Sequence, residues 1–109
     1  MDHVIPELKI LSYLLKQPGK RKFFNAFGYT ASNWQQLRDD LLSVAKTSQA
    51  AFRRKTAYGD EYEVIGNVQA PNGRMIKLPS GWMIRNNEPR IMYLVTAYPA
   101  PLTASPTPS

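Results

Sequence analysis

The sequence predicts an α+β fold: N-terminal helices packed on one face of a three- to four-stranded antiparallel β-meander, followed by a disordered C-terminal tail. Three observations predict it. Apolar residues recur at helical spacing up to about residue 47, and the pattern changes to period two after residue 50. The last eleven residues, PAPLTASPTPS, hold four prolines and no charge, so they can form neither a ladder nor a core. One domain over 1–98 and a tail over 99–109 follow.

The first helix is expected over 6–16. Pro6 suits a first helical position, Ile5 can staple the start, and two rows recur at helical spacing, Leu8-Leu11-Leu15 and Ile10-Leu14. Pro18-Gly19 stops it. Lys20–Phe27 reads as a short second helix, basic at its start, apolar through Phe23, Phe24 and Phe27, and closed by Gly28. Ser32 then caps a third helix, with Gln35 at the capping-box position. Trp34, Leu37, Leu41 and Val44 or Ala45 form its buried stripe out to about residue 47.

Ala51–Thr56 is a possible first strand, and Tyr58-Gly59-Asp60 a turn. Glu61–Ala70 is a strand, and Pro71-Asn72-Gly73 a hairpin turn. Arg74–Leu78 runs back, Pro79-Ser80-Gly81 interrupts it as a bulge or bend, and Trp82–Arg85 continues. Asn86–Pro89 is the next turn and Arg90–Tyr98 the last strand. With a four-residue turn, Arg85 lies opposite Arg90, Met83 opposite Met92 and Trp82 opposite Tyr93. One face then carries Trp82, Ile84, Ile91, Tyr93, Val95 and Ala97 toward the helices. The other carries Met83, Arg85, Arg90, Met92, Leu94, Thr96 and Tyr98. A one-residue slip in the turn reverses this assignment.

Charge narrows the function. The chain of 109 residues carries a net charge of +6. Residues 9–55 hold ten basic and two acidic side chains, whereas residues 56–109 hold four of each. Lys20-Arg21-Lys22 and Arg53-Arg54-Lys55 are the densest clusters. Such a patch is the footprint of a polyanion partner, here possibly RNA; the competing reading is a solvated surface. The absence of cysteine excludes disulfides, thiolate zinc sites and thiol catalysis. No apolar run approaches the ~20 residues of a membrane span. The opening MDHVIPELK carries acids before a helical pattern, unlike a signal peptide. A cytoplasmic protein with no membrane partner, no metal and no cofactor is therefore expected.

Arg, Thr and Tyr on one sheet face can bind phosphates and stack on bases. They can also cleave RNA. Attack of a 2′-hydroxyl on its own phosphate needs a base, charge stabilisation at the phosphoryl oxygens and an acid for the leaving oxygen. Arg and Lys supply the second, and Tyr or Lys with a shifted pKa the others. The competing reading is that these side chains only solvate an open face. His3, the only histidine, sits near the terminus, where fraying is expected. Asp60, Glu61 and Glu63 read as a solvated turn rather than a metal site. Trp34 and Trp82 read as core. No GxxxxGK[ST], HExxH or GxSxG motif occurs.

Three segments carry a resemblance: Gly19-Lys20-Arg21-Lys22-Phe23-Phe24 with Gly28-Tyr29-Thr30, the hairpin Ala70-Pro71-Asn72-Gly73-Arg74, and the closing Trp82-Met83-Ile84-Arg85 with Pro89-Arg90 and Leu94-Val95-Thr96-Ala97-Tyr98-Pro99. Over roughly residues 4–99 they resemble a family of small bacterial proteins of unknown function, abundant in cyanobacteria. Its members look like genomic neighbours of another small protein in a toxin–antitoxin-like arrangement. Their layout is similar to the barnase–EndoU–colicin–RelE superfamily of metal-independent ribonucleases. The resemblance implies an endoribonuclease toxin with a small antitoxin-like protein as partner. It singles out Lys22, before the Phe pair, and Thr96 to Tyr98. Members usually read PRLVTAYP at the end; this chain has extra residues between Arg90 and Leu94. The expected catalytic set is Lys22, Arg85, Arg90, Thr96 and Tyr98. Lys20, Arg21, Arg53, Arg54 and Lys55 are the expected nucleic-acid contacts. The alternatives are a non-catalytic nucleic-acid- or protein-binding module, or the neutralising partner of such a pair.

Overall fold

Two of the strands are long. Gly59–Gln69 (β3) and Met75–Arg85 (β4) pair antiparallel without a break, from Gly59 opposite Arg85 to Gln69 opposite Met75. The computed structural model describes residues 1–101. Ahead of these strands come Asp2–Val4 (β1), Glu7–Lys9 (α1), Pro18–Ala26 (α2), Trp34–Thr47 (α3) and Ala50–Lys55 (β2). Ile91–Ala97 (β5) and Ala100–Pro101 (β6) follow. The sheet order is β1-β5-β4-β3-β2, with β6 also pairing β4. The class is α+β, and the sheet is antiparallel except at β1, which pairs parallel to β5.

The helices depart from expectation at their ends. α1 runs into a π-helical turn over Ile10–Leu14, where the Leu15 N–H donates to the Ile10 carbonyl at 2.8 Å. The wider turn buries Ile10, Leu14 and Leu15 and leaves Leu8 exposed, so Ile10-Leu14 is the inward row. Pro18 does not merely stop the first helix: it opens α2, where its missing N–H is no loss. Gly28, at φ 95°, closes that helix, and the Tyr29 N–H reaches back to the Phe24 carbonyl at 3.0 Å. The third cap is Thr30, not Ser32. The Thr30 N–H donates to Asn33 Oδ1 at 2.7 Å, and the Asn33 amide donates to the Gly28 carbonyl at 3.0 Å. A 3₁₀ turn over Ala31–Asn33 then leads into α3.

α3 buries the expected stripe of Leu37, Leu41, Val44 and Ala45. It lies over Gly66 of β3, where a Cβ would come within 3.0 Å of both Val44 methyls. One continuous core joins these residues to Phe24, Tyr29, Val64, Ile76, Leu78, Trp82 and Leu94. Its polar groups are paired. Trp82 Nε1 donates to Ser80 Oγ at 2.8 Å, Ser80 donates to the Val64 carbonyl at 3.1 Å, and Tyr29 donates to Asp40 at 2.6 Å.

The Pro71-Asn72-Gly73 hairpin forms as expected, with Gly73 at φ 90° and its N–H on the Ala70 carbonyl at 2.8 Å. Pro79-Ser80-Gly81 does not interrupt β4; the strand runs through it in register with β3. The register on β5 differs from expectation. The turn is 86–90, one residue longer, so Trp82 faces Leu94, Met83 faces Tyr93 and Ile84 faces Met92. Met92 and Leu94 therefore belong to the core side and Tyr93 to the open side. The register then shifts: Gly81 faces Thr96 and Ser80 faces Ala97, which leaves Val95 as the extra residue of a bulge. Of the expected tail, Pro99 is buried and Ala100–Pro101 pair with Ile76 and Lys77. Residues 102–109 lie outside the described residues.

Candidate functional site

Ala51, Glu63, Gly81 and Thr96 stand in one row across β2, β3, β4 and β5. Their side chains leave the sheet on the side opposite α3, because Val64 and Gly66 take the other side of the pleat. Gly81 contributes no side chain to that row, and the result is a hollow between Glu63 and Thr96. A cleft of about 390 Å³ opens there. Arg53, Arg54, Glu61, Glu63, Thr96 and Tyr98 form its polar walls, with Val95 and parts of Tyr62, Ser80 and Trp82. The Val95 bulge is decisive. Without it, Thr96 would sit opposite Ser80 and point into the core.

The charges in the cleft are paired across β2 and β3. Arg53 lies 3.5 Å from Glu63, Arg54 2.8 Å from Glu61, and Lys55 3.0 Å from Asp60. The pairing with Glu61 holds the Arg54 proton still more tightly than usual. The carboxylates are half-buried, and the guanidinium groups reach over them from the exposed edge strand. Asp60, Glu61 and Glu63 are thus not a solvated turn but the partners of the basic run. The legible signal is symmetric: Arg53-Arg54-Lys55 and Asp60-Glu61 flank a tight turn at equal distance, as antiparallel partners must.

A second group adjoins the cleft. The Tyr13 and Thr96 hydroxyls are 3.4 Å apart. Lys20 Nζ donates to the Ala97 carbonyl at 3.3 Å and stands 5.5 Å from the ring centroids of both Tyr13 and Tyr98. The expected basic residue beside Tyr98 was Lys22; the structure puts Lys20 there and leaves Lys22 exposed, as it does Arg21. The sequence reading missed Tyr13, because nothing in a helical pattern marks the residue that will meet a strand edge.

Arg85 and Arg90 do not join the cleft. Arg85 stacks on the Tyr93 ring at 3.8 Å and pairs with Glu88 at 3.4 Å. It lies four residues beyond Gly81 along β4, roughly 13 Å away at the rise of a strand. Glu88 also accepts from the Tyr93 hydroxyl at 2.8 Å, which holds the Tyr93 proton above its ordinary range. Arg90 is exposed in the 86–90 turn. Of the expected catalytic set, the fold therefore brings together Thr96 and Tyr98. Of the expected contacts it adds Arg53 and Arg54, with Lys20 on the rim.

His3 is not frayed. It lies in β1 opposite Met92 and meets the Trp82 ring edge-on at 5.5 Å. Its Nδ1 is buried without a partner, and burial, then the charge of Lys46, lowers its pKa from 6.5. Among the described residues no His, Asp or Glu cluster is arranged to hold a metal, and no helix is long and apolar enough to cross a membrane.

No curated protein and no solved structure matches this chain. A family model described as "Domain of unknown function (DUF6883)" matches residues 2–101, and the chain belongs to that family.

Proposed function

We propose that the protein is a metal-independent endoribonuclease, the toxin of a toxin–antitoxin-like pair acting in the cytoplasm, with its chemistry in the Gly81 cleft. The observation that carries this reading is the joining of two arginines, two half-buried carboxylates, Thr96 and Tyr98 in one hollow. A phosphate entering the cleft takes over Arg53 and Arg54 from their glutamates, and the guanidinium groups offset charge on the phosphoryl oxygens. Glu63, released from Arg53, accepts the proton of the ribose 2′-hydroxyl. The 2′-oxygen attacks phosphorus, the bond to the 5′-oxygen breaks, and Tyr98 gives that oxygen its proton. The products are a 2′,3′-cyclic phosphate and a 5′-hydroxyl end; Glu63 and Tyr98 exchange protons with water to reset. A neutralising partner would cover the cleft mouth with carboxylates facing Lys20 and Arg21.

The test is cleavage of RNA in excess chelator, with the ends identified chemically. Cyclic phosphate ends are expected. Glu63→Gln and Tyr98→Phe each should slow turnover by roughly 10²–10⁴, the usual worth of a general base or acid. Intact RNA, dependence on metal, or variants as active as wild type would overturn the reading.

One observation favours a second reading. The cations of the cleft are already paired, whereas Lys9, Lys16, Lys20, Arg21 and Lys22 have no acidic partner among the described residues. A module that binds RNA on α1 and α2 without cutting it would show salt-dependent binding and leave the RNA intact.

A further inference from the structure

The second helix was expected to be apolar through all three of its phenylalanines. Phe24 and Phe27 are buried, but Phe23 is 59% exposed. A single exposed apolar residue is ordinary in itself; its surroundings are what matter. Lys20 and Phe23 stand three residues apart on α2, so their Cβ atoms are neighbours at about 5–6 Å. Lys20 in turn lies 5.5 Å from the ring of Tyr98, which is 46% exposed and lines the cleft. The sequence Tyr98, Lys20, Phe23 is thus a continuous strip of ring, ammonium and ring that leads out of the cleft.

The charge of the region is one-sided. Residues 8–38 hold six cations and no carboxylate. Only Arg38 of these is ion-paired, with Asp39. Arg21 and Lys22, immediately before Phe23, are both exposed. A surface with exposed aromatic rings between cations, and no acid to compete, is complementary to a strand whose bases are free to stack and whose phosphates repeat between them.

We propose that Lys20, Phe23 and Tyr98 form a stacking strip for unpaired RNA bases, so that the protein selects single-stranded over duplex RNA. The proposal rests on the RNA reading above. Phe23 and Tyr98 each offer a face to one base, and Lys20, with Arg21 and Lys22 beside it, meets the phosphates. Duplex RNA offers neither: its bases are already stacked on one another, and its major groove is too deep and narrow for side chains to read.

The experiment uses the full chain and a fluorescent 2′-O-methyl RNA of about 12 nucleotides, within the span that such sites cover. It carries no free 2′-hydroxyl and so cannot be cut. Anisotropy is read for the single strand and for the same strand annealed to its complement, while cleavage of unmodified RNA is followed separately. Expected are tighter binding of the single strand and a roughly five- to tenfold loss of affinity in Phe23→Ala, the low end of what one base-stacking ring contributes. Phe23→Trp should retain affinity, and Phe23→Leu, apolar but without a ring, should lose it as Ala does. Circular dichroism checks that each variant is folded. Equal affinity for single strand and duplex, or a folded Phe23→Ala that binds as wild type does, would overturn the strip; if wild type still cleaves unmodified RNA, the ribonuclease reading stands. Neither binding nor cleavage would overturn both.

Discussion

Lys20 and Lys22 are two residues apart on α2, and an α-helix of 3.6 residues per turn advances about 100° per residue. They therefore point to nearly opposite sides. The run Lys20-Arg21-Lys22 supplies a cation in three directions, and only the neighbouring buried rings, Phe24 and Phe27, decide which one faces the sheet. That choice was open to a helical-wheel argument, since Lys20 shares the side of Phe24 and Phe27. Gly81 is the opposite case. Its role depends on what stands across the sheet from it, which sequence does not show. A Cβ at Gly81 would come within 3.3 Å of Thr96 Cγ2, so a branched side chain fills the hollow. Gly81→Val should fold, because valine suits a strand. It should nevertheless reduce RNA cleavage on the order of 10²-fold by displacing the phosphate from the groups that act on it. Turnover measured beside the far-UV circular dichroism of the variant checks this.

Among the elements, α3 was the most legible. Its four inward residues follow one stripe, and a stripe that long admits no other period. Its seat was not legible: it packs so closely on β3 that Gly66 has no room for a side chain. A Cβ there would meet Ser48 Oγ at 2.7 Å and both Val44 methyls at 3.0 Å. Gly66→Ala should cost about 1–3 kcal/mol through overpacking, read as a lower urea midpoint at unchanged slope. The last hairpin shows why faces are hard to assign from sequence. The turn is one residue longer than Asn86–Pro89, which moves Met92 and Leu94 to the core; the Val95 bulge then returns Thr96 and Tyr98 to the open side. Two shifts of one residue cancel at the end of the strand and not at its start. The expectation thus held for Thr96 and Tyr98 and failed for Arg90. β1 left no signal, because three residues are too few for a period.

Across the whole molecule, the formal charge overstates the free charge. Arg53, Arg54 and Lys55 are matched by Glu63, Glu61 and Asp60, so the unmatched field lies over α1 and α2. Reversing Lys20, Arg21 and Lys22 to Glu together should weaken RNA binding to all sequences alike. It should also flatten the slope of log affinity against log salt by roughly 2, at about 0.7 per lost phosphate contact on a single strand. Titration of binding at several salt concentrations checks both. Stability carries a different signature, through His3. Its imidazole is held neutral by burial and by Lys46, so it binds a proton less readily folded than unfolded, where the ordinary value is 6.5. The unfolded chain takes up that proton first as the pH falls. Stability should therefore be fully present above about pH 6.5, decline below it, and level off under the lowered folded pKa. Denaturation midpoints of wild type and His3→Phe between pH 7.5 and 5, roughly the range where histidine changes charge, should diverge in that sense; parallel curves would place the dependence elsewhere.

β5 is inserted between β1 and β4, so the first strand of the chain has no partner until the last long one arrives. Contacts between residues 2–4 and 91–93 span nearly the whole chain, the kind of closure that is slow because the intervening loop must be ordered first. The same late strand brings Val95, Thr96 and Tyr98, one entire wall of the cleft. During synthesis the earlier elements emerge first: three helices, the β2–β3 ion pairs and the β3–β4 hairpin can form with that wall still missing. A nascent chain is then inert at this site by construction. Whatever the cleft does begins only when its final strand has left the ribosome and closed the sheet.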